Sequence, residues 1–215
     1  MDNIILLLFQ LAILLFSIVI HEVSHGAMAY RLGDPTAKHM GRLTLNPIKH
    51  LDLWGSFLVP ILLLVVRSPV LFGWAKPVPY NPYNLSNKKW GPAMVAAAGP
   101  GANIAIAIVF GLAIRFSSYT SIIETPAFAG LVQIFSLIVI LNILLAVFNL
   151  VPIPPLDGSK LLFAVLPLSM EHIKISLERF GFMILLFFIF FAFRLILPIV
   201  FAIYNLIVGS GLTLF

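Results

Sequence analysis

The sequence predicts an all-α polytopic membrane protein: a transmembrane helix bundle with one re-entrant segment and small extended β segments near the cytoplasmic face. Three observations carry that prediction. Apolar residues make up 61% of the 215 and charged ones only 10%, and the mean hydropathy is +1.09, a balance unlike that of a water-soluble domain. Residues 4–20 hold only Gln10 and Ser17 as polar side chains, and residues 92–114 and 126–151 carry no charge; the last two runs match the roughly 20 residues needed to cross hydrocarbon. The basic residues are lopsided: Arg31, Lys38, Arg42, Lys49, Arg67, Lys76, Lys88 and Lys89 all fall between the first apolar run and the one starting near Pro92.

Each element follows in order. The first apolar run lacks a basic start and leads straight into His and Glu residues, so it reads as a retained helix instead of a removable leader. By the positive-inside rule, residues 31–91 are cytoplasmic, the loop 116–127 is outside, and the first helix runs inward from an external N-terminus. Leu53 to Val66 offers 14 uncharged residues with Pro60 inside. That is roughly 21 Å of helix against roughly 30 Å of hydrocarbon, which predicts the re-entrant segment. "GRLTLNP" (41–47) and "GWAKPVPYNPYN" (73–84) have β-branched or proline-spaced character and read as edge strands or polyproline II. Residues 180–215 are nearly all apolar, broken by Arg194 and Pro198, and fit either one kinked helix or a tight hairpin. The whole chain reads as one domain, residues 1–215, with a core over 4–165 and a C-terminal helical segment over 172–215.

Composition also bounds the chemistry. Cysteine is absent, so any metal must be held by nitrogen and oxygen. The net charge of +5 matches membrane topology, and no aromatic-interleaved basic patch points to nucleic acid.

The stretch "SIVIHEVSHGAMAY" (17–30) contains HExxH at His21, Glu22 and His25. Residues four apart share a helix face, so both imidazoles can reach one ion while Glu22 sits beside it. That pattern points to two zinc ligands and a general base. With five His and four Glu in the chain, chance supplies about 0.002 such matches. His21 lies 17 residues after Ile4, roughly 26 Å along a helix, which places the metal near the cytoplasmic side.

A catalytic zinc takes three protein ligands and leaves a position for water. Asp157 stands out as the third: it follows the uncharged run 126–151, after prolines that end the helix and before Gly158. Parity supports it, because two crossings after His25 the chain returns to the same side just before Asp157. His50 and Asp52 lie on that side too and stay open as an alternative ligand source.

Three motifs together, HEVSHG at 21–26, "AAAGPGAN" at 96–103 and "NLVPIPPLDG" at 149–158, resemble the site-2 protease family of intramembrane zinc metalloproteases, in its short form without PDZ or CBS domains. The resemblance implies an endopeptidase that hydrolyses peptide bonds in or near transmembrane segments of membrane protein substrates. It implies one Zn2+ per chain held by His21, His25 and Asp157, with Glu22 as general base. It further suggests Asn103 near the reacting carbonyl as an oxyanion donor, while Asn149 is expected to orient the Asp157 loop or contact substrate. The expected setting is a bacterial or archaeal cell membrane, with the active site toward the cytoplasm and the bilayer and transmembrane substrates as partners.

Overall fold

The computed structural model describes residues 2–66, 73–117 and 126–209. Among the described residues every regular element is helical. The long first helix, α1 (Asp2–Arg31), is followed by the short α2 (Thr36–His39) and α3 (Val59–Val65). After these come α4 (Gly91–Ser117), α5 (Pro126–Asn149), α6 (Asp157–Val165), α7 (Glu171–Phe187) and α8 (Leu197–Val208). Four helical runs are long and apolar enough to cross a membrane: Ile4–Arg31, Gly91–Ser117, Phe128–Asn149 and Glu171–Leu195.

Local chemistry sets the ends of these helices. Gly33 takes φ +104° and closes α1: its N–H donates to Tyr30 O at 3.1 Å, and Asp34 N–H donates to Ala29 O at 2.9 Å. This is a glycine C-cap that satisfies two carbonyls otherwise left open. α5 stops at Asn149 because Pro152, Pro154 and Pro155 follow and cannot supply the next helical donors.

α1 packs on α4, and α4 packs on α5. α8 completes the far half of the bundle, where Ala107, Ile114, Val139, Ile143, Val200, Tyr204 and Val208 form a buried cluster. Small residues let helix backbones approach closely in an environment where lipid competes for apolar contact.

The C-terminal segment is one broken path, which decides between the two alternatives open in the sequence. Leu185 and Ile189 pack with Leu156, beside the start of α6. Further on, Tyr204 pairs with Ser136 at 3.0 Å, and Arg115, near the other end of α4, donates to Leu206 O at 3.2 Å. Over the described residues the C-terminal segment therefore passes the bundle once. Its helix breaks over Phe188–Leu195 into a π-helical and then a 3-10 stretch, one turn before Pro198. That proline has no N–H for the Arg194 carbonyl and crowds the preceding turn.

Two expectations need correction. Neither 41–47 nor 73–84 forms a strand; in the second segment Pro77, Pro79 and Pro82 each lack a backbone donor, so no ladder can continue there. Two of the other donors pair singly with distant carbonyls: Trp74 N–H with Gly55 O, and Lys76 N–H with His50 O. The predicted re-entrant segment is a π-helical run, Leu53–Leu58, continued by α3. Protein does not surround it as a buried re-entrant backbone requires: Leu53, Trp54, Leu58, Ile61, Leu62 and Val65 are all exposed.

Candidate metal centre

One face of α1 carries Ser17, His21, His25 and Ala29, four apart and all buried, and this stripe packs against α4. The contact point on α4 is Gly99. A Cβ there would stand 2.5 Å from His25 Cε1 and Nε2 and 2.7 Å from His21 Cε1, so glycine is what lets both rings come this close to that helix. In the sequence Gly99 is only one small residue of the stretch AAAGPGAN; its contact with the histidines emerges from the fold.

Asp157 reaches the same place from the first turn of α6. The start of that helix folds back on the end of α5 so tightly that a Cβ on Gly158 would overlap the Leu150 carbonyl. The Asp157 Oδ2 atom lies 3.1 Å from His21 Nε2 and 3.2 Å from His25 Nε2, and the two Nε2 atoms are 3.0 Å apart. Predicted from spacing and parity, the juxtaposition of these three side chains is what the structure contains.

The donor set fits a divalent cation. His25 Nδ1 lies 2.7 Å from the Val95 carbonyl, which can only accept, so Nδ1 carries the proton and, in the neutral ring, Nε2 is bare. His21 Nδ1 lies 2.6 Å from Asn103 Oδ1 and is placed likewise. Two bare ring nitrogens and a carboxylate oxygen thus face one another, and Asp157 Oδ2 is buried without a hydrogen bond. Three lone pairs held this way repel unless a cation lies among them. Ligands at roughly 2.0–2.1 Å around a tetrahedral zinc stand about 3.3 Å apart, close to the three separations found.

Glu22 lies beside this centre. One ligand atom each from His21, Glu22 and His25 fall within 4.8 Å of one another. Glu22 Oε2 accepts a 2.8 Å hydrogen bond from Val78 N–H, a contact that reading 73–84 as an edge strand or polyproline II does not disclose. Glu22, His25 and Asp157 open into a cavity of about 240 Å3 that Val78, Tyr80, Asn149 and Lys160 also line. Burial first, and then the charge of Asp157, raise the pKa of Tyr80 above its ordinary value, so its hydroxyl remains a donor.

The other predicted residues divide. Asn149 lines the cavity, with its amide nitrogen bonded to Leu145 O of its own helix at 2.9 Å; this bond does not reach the Asp157 loop. Asn103 is a correction. It is fully buried and backs His21, with its amide nitrogen donating to Asn142 Oδ1 at 2.8 Å and to Ser17 O at 3.3 Å. All its donors are used, so none is left for an oxyanion. His50 and Asp52, the alternative ligand source, are engaged elsewhere: His50 Nε2 pairs with Thr44 O at 2.8 Å and Asp52 caps Gly55 N–H at 2.7 Å.

Comparison with known proteins bears on this arrangement. The family model described as Peptidase family M50 matches residues 9–129 and 115–192. The chain belongs to peptidase family M50. Two similar proteins carry the name "Putative zinc metalloprotease". One is YwhC of Bacillus subtilis, 38% identical over 174 residues, covering 80% of this chain and 76% of YwhC. The other is Rip2 of Mycolicibacterium smegmatis, 29% identical over 173 residues, covering 79% of this chain and 62% of Rip2. No solved structure matches the chain significantly. Membership of the M50 (site-2 protease) family, together with the four long apolar helices, makes this a multi-pass membrane peptidase.

Proposed function

We propose that this M50 peptidase is an intramembrane zinc endopeptidase that cleaves peptide bonds in or near transmembrane segments of other membrane proteins. The observation that carries the reading is the meeting of His21, His25 and Asp157, with separations of 3.0–3.2 Å, inside a bundle of membrane-length helices. The names of YwhC and Rip2 support zinc as the metal. One zinc per chain is held by those three side chains, and when bound it supplies a Lewis acid toward water and the scissile carbonyl.

The chain's own residues do the rest. Glu22, held at Oε2 by Val78 N–H and lining the cavity, takes a proton from the attacking water and returns it to the leaving amine. Asn149, on the cavity wall, has one amide hydrogen beyond its bond to Leu145 to offer a substrate backbone. A substrate helix must unwind locally, because helical carbonyls are already bonded and cannot be attacked. The basic residues between α1 and α4 support a catalytic end at the cytoplasmic face of a cell membrane.

The test is a comparison of membrane-protein fragments from cells carrying the wild type or Glu22→Gln, with the zinc content of both purified proteins. The expected outcome is loss of transmembrane-proximal cleavage products with zinc retained. Identical fragment patterns would contradict the reading and favour a metal-binding role without hydrolysis.

A further inference from the structure

We propose that Asn142, two turns before the end of α5 and in none of the three sequence motifs, is a positioning residue for the metal: acting through Asn103, it fixes which nitrogen of His21 faces the site. The inference rests on the zinc-site reading above.

The argument is one of hydrogen-bond direction. Asn142 Nδ2 donates to Ile138 O at 2.9 Å and to Ser17 Oγ at 2.9 Å. A backbone carbonyl can only accept, so this end of the amide must be the nitrogen, and Oδ1 must face Asn103. Asn103 Nδ2 then donates to Asn142 Oδ1 at 2.8 Å and to Ser17 O at 3.3 Å. The second acceptor is again a carbonyl, so the orientation of Asn103 is fixed in turn. What remains of Asn103 is Oδ1, 2.6 Å from His21 Nδ1, which can only receive the ring's proton.

The relay thus starts at two main-chain carbonyls, on α5 and α1, and ends as a bare His21 Nε2. Reversing any amide in it would set oxygen against oxygen and nitrogen against nitrogen. Asn103 and Asn142 are both 0% exposed, so water cannot repair such a mismatch. An unconstrained imidazole favours the proton on Nε2, the atom the metal needs. Asn142 therefore ties the position of α5 to the state of a ligand on α1.

The test uses the full chain in detergent, with zinc affinity measured by chelator competition and the protonation of the His21 nitrogens read from 15N shifts of histidine-labelled, zinc-free protein. Asn142→Leu keeps the branched shape and Asn142→Ala removes it; both lack the acceptor. Zinc affinity should fall roughly 10–100-fold in both, the range for lost outer-shell partners, with a proton appearing on His21 Nε2. Asn142→Asp, which as a buried neutral acid accepts from Asn103 and donates to Ile138 O, should bind zinc close to wild type and keep the proton on Nδ1. Should Asn142→Leu fail to fold, judged by its thermal transition, Asn142→Ala carries the comparison. Wild-type affinity in Asn142→Ala, or an unchanged His21 proton, overturns the relay. Absence of zinc binding in the wild type would instead overturn the zinc-site reading on which it rests.

Discussion

The two halves of α1 are packed in opposite ways. From residue 4 to residue 16 no side chain is buried, and Ile4, Ile5, Leu6, Leu7, Leu8 and Leu11 are more than half exposed. From Ser17 onward, Ser17, Val19, His21, His25 and Ala29 are all buried. The apolar half faces outward and the polar half faces protein, the reverse of a soluble helix. In hydrocarbon a leucine needs no protein partner, whereas an unpaired polar group costs several kcal/mol. Along α1 burial therefore follows polarity, and the buried half is the one that carries the metal centre.

The sharpest way to break that contrast is to disturb the close approach at Gly99. Gly99→Ala puts a methyl 2.5 Å from His25, and zinc affinity should fall roughly 10–100-fold, as when the shell that orients a ligand is lost. Gly101, two residues along the same helix, has nothing within 4 Å of where its Cβ would stand, so Gly101→Ala should bind zinc as the wild type does. Equal effects of the two substitutions, measured by chelator competition, would mean the small residues act only through general helix packing.

A smaller effect is expected at Asp34, just beyond the polar half of α1. This buried carboxylate accepts from Thr36 Oγ1 at 2.6 Å, Asn81 N–H at 2.7 Å and Asn84 Nδ2 at 2.8 Å, anchoring the segment that carries Val78 to the end of α1. Burial works to raise its pKa, but the hydrogen bonds from Thr36, Asn84 and Asn81 outweigh it and hold the pKa below the ordinary 3.8. A depressed folded-state pKa contributes stability that is complete above the unfolded value and is lost as pH falls through the folded one. Asp34→Ala should cost about 1–3 kcal/mol near neutral pH, and the gap from wild type should narrow below about pH 3.8. Thermal transitions recorded across pH check both parts; a gap that does not change with pH would deny the carboxylate its charged role.

The least effect belongs to the lipid-facing half. Leu8→Val should change stability by less than about 0.5 kcal/mol, because lipid replaces whatever contact is lost. A large loss in detergent or bilayer would show that this face packs against something other than lipid.

How far the sequence discloses the molecule follows the same division. His21, Glu22, His25 and Asp157 were legible because their identities carry the chemistry, and because helix spacing and membrane parity constrain where they go. The first three membrane-length helices were legible from apolar runs. The 73–84 segment was not: its proline spacing suggests extended backbone, but whether such backbone pairs depends on neighbours distant in sequence, and its donors are spent on Gly55, His50 and Glu22. Asn103 was assigned to the reaction because motif context says it is near the metal without saying on which side. The structure puts it behind His21, where its donors are already taken. The path of the last segment was equally undetermined, since Pro198 signals a break and gives no direction; the contacts of Tyr204 and Arg115 supply that direction.

The central claim is that residues 21, 25 and 157 share one metal ion. Zinc K-edge absorption of the purified wild type and of Asp157→Asn, with zinc content measured on the same samples, tests it most directly. The account predicts about one zinc per wild-type chain in a shell of nitrogen and oxygen with two imidazoles, and loss of most of that zinc from Asp157→Asn. A variant that keeps its zinc with an unchanged two-imidazole spectrum would contradict it.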